Sequence, residues 1–184
     1  NFHFYKKQTH NFINIGRLVD QKNQLLILKS FKLLTEKTNY KFKLLIIGSG
    51  ENKKKLLNFI RKNNLNNSIK VTDFKKNPFP YLKKTNAFIL SSIFEGLPNV
   101  ILEALTLKKL VISSDCPTGP KEILDHGKGG LIFKMNNEFD LYKKIIFFIK
   151  NKSKSEKLVR HGYNRLTRFD YQKNLEEYLK ILSS

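Results

Sequence analysis

Cysteine occurs once, at Cys116, so no disulfide framework can hold this chain, and a reducing compartment is the simplest reading. Long hydrophobic runs are missing too: a stretch such as Ile145–Ile149 is far too short to span a bilayer. Asn1–His10 is polar and carries no apolar segment, so no secretory leader is expected there and a cytoplasmic location follows. Histidine and cysteine nowhere cluster and no Asp-x-Asp occurs, so no metal site is expected. His126 and His161 lack ligand-spaced partners and are expected at the surface. The serines lie where the pattern places no histidine, which removes any argument for a Ser/His/Asp hydrolase. Internal repeats and low-complexity linkers are absent as well.

Acidic residues are also scarce. Fifteen Asp and Glu face 35 Lys and Arg, leaving a net charge of +20. Nucleic acid, an anionic membrane or an anionic substrate could each answer that charge. Only Arg17, Arg61, Arg160, Arg165 and Arg168 are arginines; the rest are lysines spread along the whole chain beside abundant Asn and Ile. Such scatter reads as compositional bias and a solvated surface, so no nucleic-acid partner is expected. Attraction of lysines to anionic lipid, about 1 kcal/mol each near the surface, leaves a peripheral membrane association open.

The chain does contain enough apolar sequence for one domain with a real core: 184 residues, 40% of them hydrophobic. Asn11–Ile15, Phe42–Ile47, Ile69–Val71, Ala87–Leu90, Leu110–Ser113 and Gly130–Phe133 read as short strands. Phe42–Ile47 is almost unbrokenly apolar, as a strand covered on both faces should be. Between and after them, helices are expected over Gln24–Leu34, Glu51–Asn63, Pro78–Lys84, Pro98–Leu107, Lys121–Leu124, Glu138–Lys150, Glu156–Leu166 and Tyr171–Leu182. Strict alternation of this kind predicts a doubly wound, Rossmann-like parallel sheet with extra helices at the C-terminal end. Ligands of such sheets lie beyond the carboxyl ends of the strands.

At one of those ends stands Ser91-Ser92-Ile93-Phe94-Glu95-Gly96-Leu97-Pro98-Asn99-Val100-Ile101-Leu102-Glu103-Ala104. A strand ends at two serines, a turn carries Glu95 and Gly96, and Pro98 suits the first position of a helix carrying Glu103. Free N–H groups and the helix dipole there favour an anion. Two carboxylates beside an anion site suggest hydroxyl groups as their partners. Glu103 lies among Val100, Ile101, Leu102, Ala104 and Leu105, where an unpaired carboxylate is costly, so a structural ion pair is its plainer alternative. Gly48-Ser49-Gly50 is either a ligand contact or a turn that lets a helix pack closely. Lys53 stands at the third glycine of a dinucleotide fingerprint, so that fingerprint is not met.

In order, the loops resemble the donor-binding, C-terminal half of a GT-B-fold retaining glycosyltransferase of glycosyltransferase family 4. The matching pieces are Ile15-Gly16-Arg17-Leu18 with Gln21-Lys22-Asn23, Ile46 to Gly50, Phe74 with Asn77-Pro78, the Glu95-x7-Glu103 element, Cys116 to Leu124, and Gly127 with Gly130-Leu131-Ile132. They cover roughly Asn11 to Ile149.

The resemblance implies a role for each position. Arg17 and Lys22 would neutralise the donor diphosphate as the glycosidic bond breaks, the job a metal does in other transferases. Glu103 would take the ribose hydroxyls and Glu95 those of the transferred sugar, beside the backbone of Gly96, Leu97, Pro98 and Asn99. Gly16, Gly48 and Gly50 fall at the donor, and Asp73-Phe74 where the base is held. The co-substrate would be a nucleoside-diphosphate sugar, with a UDP-hexose or UDP-N-acetylhexosamine favoured over GDP-mannose, and neither cofactor nor metal is expected. The loop Pro117 to Leu124 resembles that of bacterial enzymes that extend polysaccharide or lipid-linked oligosaccharide chains.

Three departures stand out. Lys108 and Asp73 occupy positions where the family usually has glycine, and a left-handed helix cap costs a non-glycine residue about 1 kcal/mol. Nothing in 184 residues supplies the acceptor-binding N-terminal domain, so the chain reads as a single donor domain facing a partner it does not contain. An isolated nucleotide-sugar-binding fragment without catalysis, and more distantly a nucleic-acid-binding domain, are the alternatives.

Overall fold

The six apolar segments form one parallel sheet: β1 (His10–Ile15), β2 (Phe42–Ile47), β3 (Ile69–Thr72), β4 (Ala87–Leu90), β5 (Leu110–Ser114) and β6 (Leu131–Phe133). The computed structural model describes residues 4–5 and 8–170; the helix expected over Tyr171–Leu182 lies outside them. Strand order is β3-β2-β1-β4-β5-β6, the doubly wound order in which the winding direction reverses between β1 and β4. Register is continuous from His10 opposite Phe42 to Ile15 opposite Ile47, while β1 meets β4 only through Phe12 opposite Ala87 and Ile13 opposite Phe88. The short β1–β4 pairing is consistent with a crevice above it at the carboxyl edge.

Both sheet faces are covered, which explains why the strands lack polar alternation. One face sets Phe12, Leu44, Ile46, Ile89 and Ile112 against α1 (Gln24–Lys37), α2 (Lys53–Lys62) and α6 (Glu138–Lys150). Phe12, Phe31 and Phe42 form successive tilted ring contacts there, at 5.1 and 4.9 Å between centroids. The other face sets Ile13, Leu45, Ile47, Phe88, Leu90 and Val111 against α3 (Phe79–Lys83), α4 (Asn99–Thr106) and α5 (Pro120–Ile123).

Most helix boundaries differ from expectation by one to four residues, and two of the differences have a visible cause. Pro98 is the residue before α4, with extended backbone (φ −75°, ψ 94°), and not its first helical residue. Its carbonyl accepts the Ile101 N–H at 2.9 Å, so it caps the helix from outside. The helix expected from Glu156 begins at Lys152 as α7 (Lys152–Asn164). Asn151 explains this by serving both helices: its side chain donates to Phe147 O, and its carbonyl accepts the Ser155 N–H, each at 2.9 Å. The polar run Lys152–Lys154 therefore sits in a first turn and not in a linker. After α4, Lys108 adopts φ 53°, the left-handed cap expected there.

His161 is also more than a surface residue. Its Nε2 lies 2.7 Å from Asp125 Oδ2, which ties α7 to the turn after α5. His126, with φ 54°, is exposed as expected.

Candidate functional site

Five loops at the carboxyl edge build the site, and backbone hydrogen bonds fix them to one another. The loop after β1 reaches the loop after β4 through Ile93 N–H to Gln21 O (2.8 Å) and Ser91 Oγ to Lys22 O (2.7 Å). Gln21 Nε2 adds a bond to Phe94 O at 2.9 Å. The loop after β2 is held by Leu18 N–H to Ser49 O and Asn52 N–H to Leu18 O, both 2.9 Å.

Gly48 is buried and gives its N–H to Thr72 O; a Cβ there would lie 1.9 Å from Gly16 O. Gly50 (φ 154°) would place a Cβ 2.4 Å from Leu18 O. Close packing of the loop after β2 against Gly16 and Leu18 requires glycine at both positions. Gly16 is the facing backbone of that contact.

The β4–α4 loop carries the carboxylate the sequence singled out. Glu95 Oε1 accepts from Lys22 Nζ at 2.6 Å and from Ser92 Oγ at 2.5 Å, with the glutamate side chain only 7% exposed and the lysine 17%. Ser92 is itself fully buried, and its carbonyl accepts Ser114 Oγ from β5 at 2.6 Å. Thr118 Oγ1 donates to Glu95 O, and Gly119 (φ 75°) packs so closely that a Cβ would fall 1.9 Å from Gly96 O. The turn at Glu95-Gly96 is thus gripped by the β1, β5 and α5 loops together. Such fixing leaves the carboxylate no rotameric freedom to lose on ligand binding.

Arg17 is exposed; its guanidinium reaches only Gln21 Oε1, at 3.5 Å, so its charge is available to an anion. Gly96 has open space around it, and Leu97, at 52% exposure, faces solvent beside exposed Asn99. The first turn of α4 carries no side-chain cap, so its N–H dipoles face outward. Glu103, on the second turn of α4, is half-buried and, among the described residues, makes neither an ion pair nor a side-chain hydrogen bond. The structural ion pair offered as its plainer reading is not there. Burial alone pushes its carboxyl above the ordinary glutamate range.

On the β3 side, Asp73 pairs with Lys53 at 2.5 Å. That hydrogen bond holds the Asp73 carboxyl below the usual range. Phe74 is 69% exposed and offers a free ring; its N–H donates to Ser49 Oγ at 3.2 Å. No group of three His, Cys, Asp or Glu side chains with metal-binding geometry occurs among the described residues.

Arg17, Lys22, Glu95, Gly96 and Leu97 therefore converge around the β1/β4 switch point, while Asp73 and Phe74 form a separate shelf over β3. The sequence reading includes Ser92, Thr118 and Gly119 in its motifs but assigns no role to them or to Ser114.

Comparison with known proteins gives concordant results. The profile of the family described as glycosyl transferases group 1 matches residues 3–165. An uncharacterized glycosyltransferase of Methanocaldococcus jannaschii is 52% identical over 118 residues, 64% of this chain and 29% of that protein. The Campylobacter jejuni enzyme named N-acetylgalactosamine-N,N'-diacetylbacillosaminyl-diphospho-undecaprenol 4-alpha-N-acetylgalactosaminyltransferase is 29% identical over 170 residues, 92% of this chain and 46% of that one. In structure, Staphylococcus aureus TarM in a complex that includes UDP superposes with a TM-score of 0.86 at 23% identity, covering 98% of this chain and 36% of TarM. Anabaena HepE in complex with UDP gives 0.85 at 18% identity, covering 96% and 49%. The chain thus spans less than half the length of each of these relatives.

Proposed function

The chain belongs to the glycosyl transferases group 1 family, and from that premise we propose that it is the donor-binding, C-terminal half of a retaining GT-B glycosyltransferase of family 4. The observation that carries the proposal is the pairing of a committed cation with an uncommitted carboxylate. Lys22 is fixed at 2.6 Å from Glu95, whereas Glu103 lies half-buried, costly and unpartnered one helix turn further in.

In this reading Arg17 and Lys22 flank the diphosphate and stabilise the charge that develops on it as the sugar–phosphate bond breaks. Lys22 already carries a carboxylate on one side, so it can bridge Glu95 and the phosphate with its three N–H donors. Glu103 accepts hydrogen bonds from the ribose hydroxyls, which supplies the partner its burial lacks. Glu95, held by Ser92 and Lys22 through Oε1, keeps Oε2 for hydroxyls of the transferred sugar. The exposed Phe74 ring and the loop at Asp73 support the base. Two positioned cations make a metal ion unnecessary for charge neutralisation. No enzymic nucleophile is assigned.

UDP is favoured as the nucleotide because TarM and HepE superpose in complexes containing UDP. An N-acetylhexosamine donor and a glycan acceptor on a lipid diphosphate carrier are favoured by the C. jejuni relative's name. The acceptor would be presented by a second domain closing over the carboxyl edge, at a membrane surface that the basic charge of +20 attracts. No helix among the described residues is long and apolar enough to cross a membrane.

Isothermal titration calorimetry with UDP, UDP-N-acetylhexosamines and GDP tests the reading. Saturable UDP binding that Glu103→Ala weakens by tenfold or more is expected; UDP heats that are absent, or identical in the variant, would defeat it.

A further inference from the structure

A groove of about 620 Å³ opens at the amino-terminal edge of the sheet, whereas Glu95 lies in the loop at its carboxyl edge. It runs along one face of α7, where Lys152, Ser155, Val159 and Arg160 recur at helical spacing, and is closed by the starts of β4 and β5. Its size falls within the range of about 300–1,000 Å³ typical of small-molecule sites. Leu110, Phe148, Ile149 and Val159 supply an apolar lining.

The polar groups on this groove are unevenly matched. Lys152 and Arg160 form no ion pair among the described residues, and Lys108 has only the Tyr163 ring, 4.5 Å from its Nζ. Glu156 is the one carboxylate on the lining and pairs with none of them. Lys109 is already committed to the carbonyls of Lys83 and Thr85, at 2.6 and 2.8 Å. Deeper in, Ser155 is 4% exposed and its Oγ has no hydrogen-bond partner at all. A buried hydroxyl left unsatisfied is destabilising, and this one borders the cavity.

We propose that this groove is a second binding site, for an amphiphile carrying a phosphate on an apolar chain. The apolar chain lies along Phe148, Ile149 and Val159, and the phosphate sits against α7, where Lys152, Arg160 and Lys108 reach it from the rim and the Ser155 hydroxyl turns outward to donate to a phosphate oxygen. Phosphate fits better than a carboxylate because donors arrive from two separate elements, α7 and the loop before β5, and phosphate offers more acceptor oxygens and more charge to share among them. The site is independent of the nucleotide-sugar reading and stands or falls without it.

The test is calorimetry on the full chain with dodecyl phosphate below its micelle concentration. One saturable site per chain is expected, not displaced by UDP and at least tenfold tighter than inorganic phosphate or dodecanoate. The double variant Lys152→Glu/Arg160→Glu should weaken it tenfold or more with an unchanged melting temperature, because both side chains are exposed on α7. Ser155→Ala should weaken it several-fold while leaving the fold as stable or more so, since it removes an unsatisfied group. Flotation with phosphatidylglycerol and phosphatidylcholine vesicles then separates a membrane lipid from a free amphiphile as the source. The proposal is overturned if dodecyl phosphate does not saturate, if dodecanoate or phosphate alone binds equally, if UDP competes, or if neither variant changes the affinity. It is likewise overturned if anionic vesicles bind while monomeric dodecyl phosphate does not, which would show general surface attraction.

Discussion

Lys22 and Glu95, 73 residues apart in sequence, hold each other at 2.6 Å across the boundary between β1 and β4 with both side chains mostly out of water. Removing one partner of such a pair strands the other as a buried charge, whereas removing both leaves nothing to compensate. Lys22→Ala should therefore cost about 3 kcal/mol of stability, at the low end for buried pairs. Lys22→Met/Glu95→Gln should cost clearly less than the sum of the single substitutions. Urea unfolding measures this directly, and additive losses would show that the pair is not coupled. UDP affinity should fall in every variant lacking Lys22.

Glu103 carries the opposite signature, a half-buried carboxylate without a partner. Its folded-state pKa is raised by burial, so the unfolded chain releases this proton first. Stability then falls as pH rises from about 4.3, the unfolded glutamate value, through the folded value, and levels off above it. Glu103→Gln removes that loss. The variant should match the parent at pH 3 and melt slightly higher at pH 7. It should also bind UDP about 10–100-fold more weakly, because a hydrogen bond to a charged group contributes about 1.5–3 kcal/mol. Gaining stability while losing the ligand is the mark of a carboxylate kept for function, and melting curves with UDP titrations at both pH values read it out.

Gly119 grips the turn that carries Glu95 from the other side. Its φ of 75° and the 1.9 Å that would separate a Cβ from Gly96 O leave no room for alanine. Gly119→Ala should cost about 2–4 kcal/mol through backbone strain and displacement of the Gly96 turn. Since that turn lies on the sugar side of the proposed donor site, affinity for a UDP-sugar should fall more than affinity for UDP. Equal losses for the two ligands would place Gly119 under the nucleotide instead.

How much of this could be read from the chain follows from where the information lies. Phe42–Ile47 and Ala87–Leu90 are covered on both faces, so their apolar runs, interrupted only by Lys43, marked the strands to the residue. Glu95 and Gly96 stood out as a charged turn at a strand end, whereas Arg17 and Lys22 stood out only through the resemblance of their loop to that of the family. The bonds that orient them did not stand out. Ser114 and Thr118 are small polar residues with no local anomaly whose partners lie in the loop after β4, and Ser92, three residues from Glu95, is tied to it by a side-chain bond that no sequence pattern marks. Asn151 was invisible for a different reason: a residue ending one helix and starting the next reads as a linker until both sets of bonds are seen. Gly48 illustrates the converse, a conspicuous residue whose lack of a side chain is already required by its contact with Gly16.

The contact of His161 with Asp125 secures α7 to the turn following α5 and gives a pH dependence of defined sign. The hydrogen bond from His161 holds the Asp125 carboxyl below the usual range, with Lys128 and Arg165 adding to it. A depressed folded value means the unfolded chain takes up this proton first as pH falls. The stabilisation is therefore complete above the unfolded value of about 3.9 and is lost as pH drops through the folded one. Asp125→Asn is the right probe, because Asp125 has φ 47° and asparagine tolerates that conformation. The variant should unfold at lower urea than the parent between pH 5 and pH 7, the gap narrowing as the pH falls below about 4. A gap constant down to pH 2 would show that the contact acts through packing and not through the charge of Asp125.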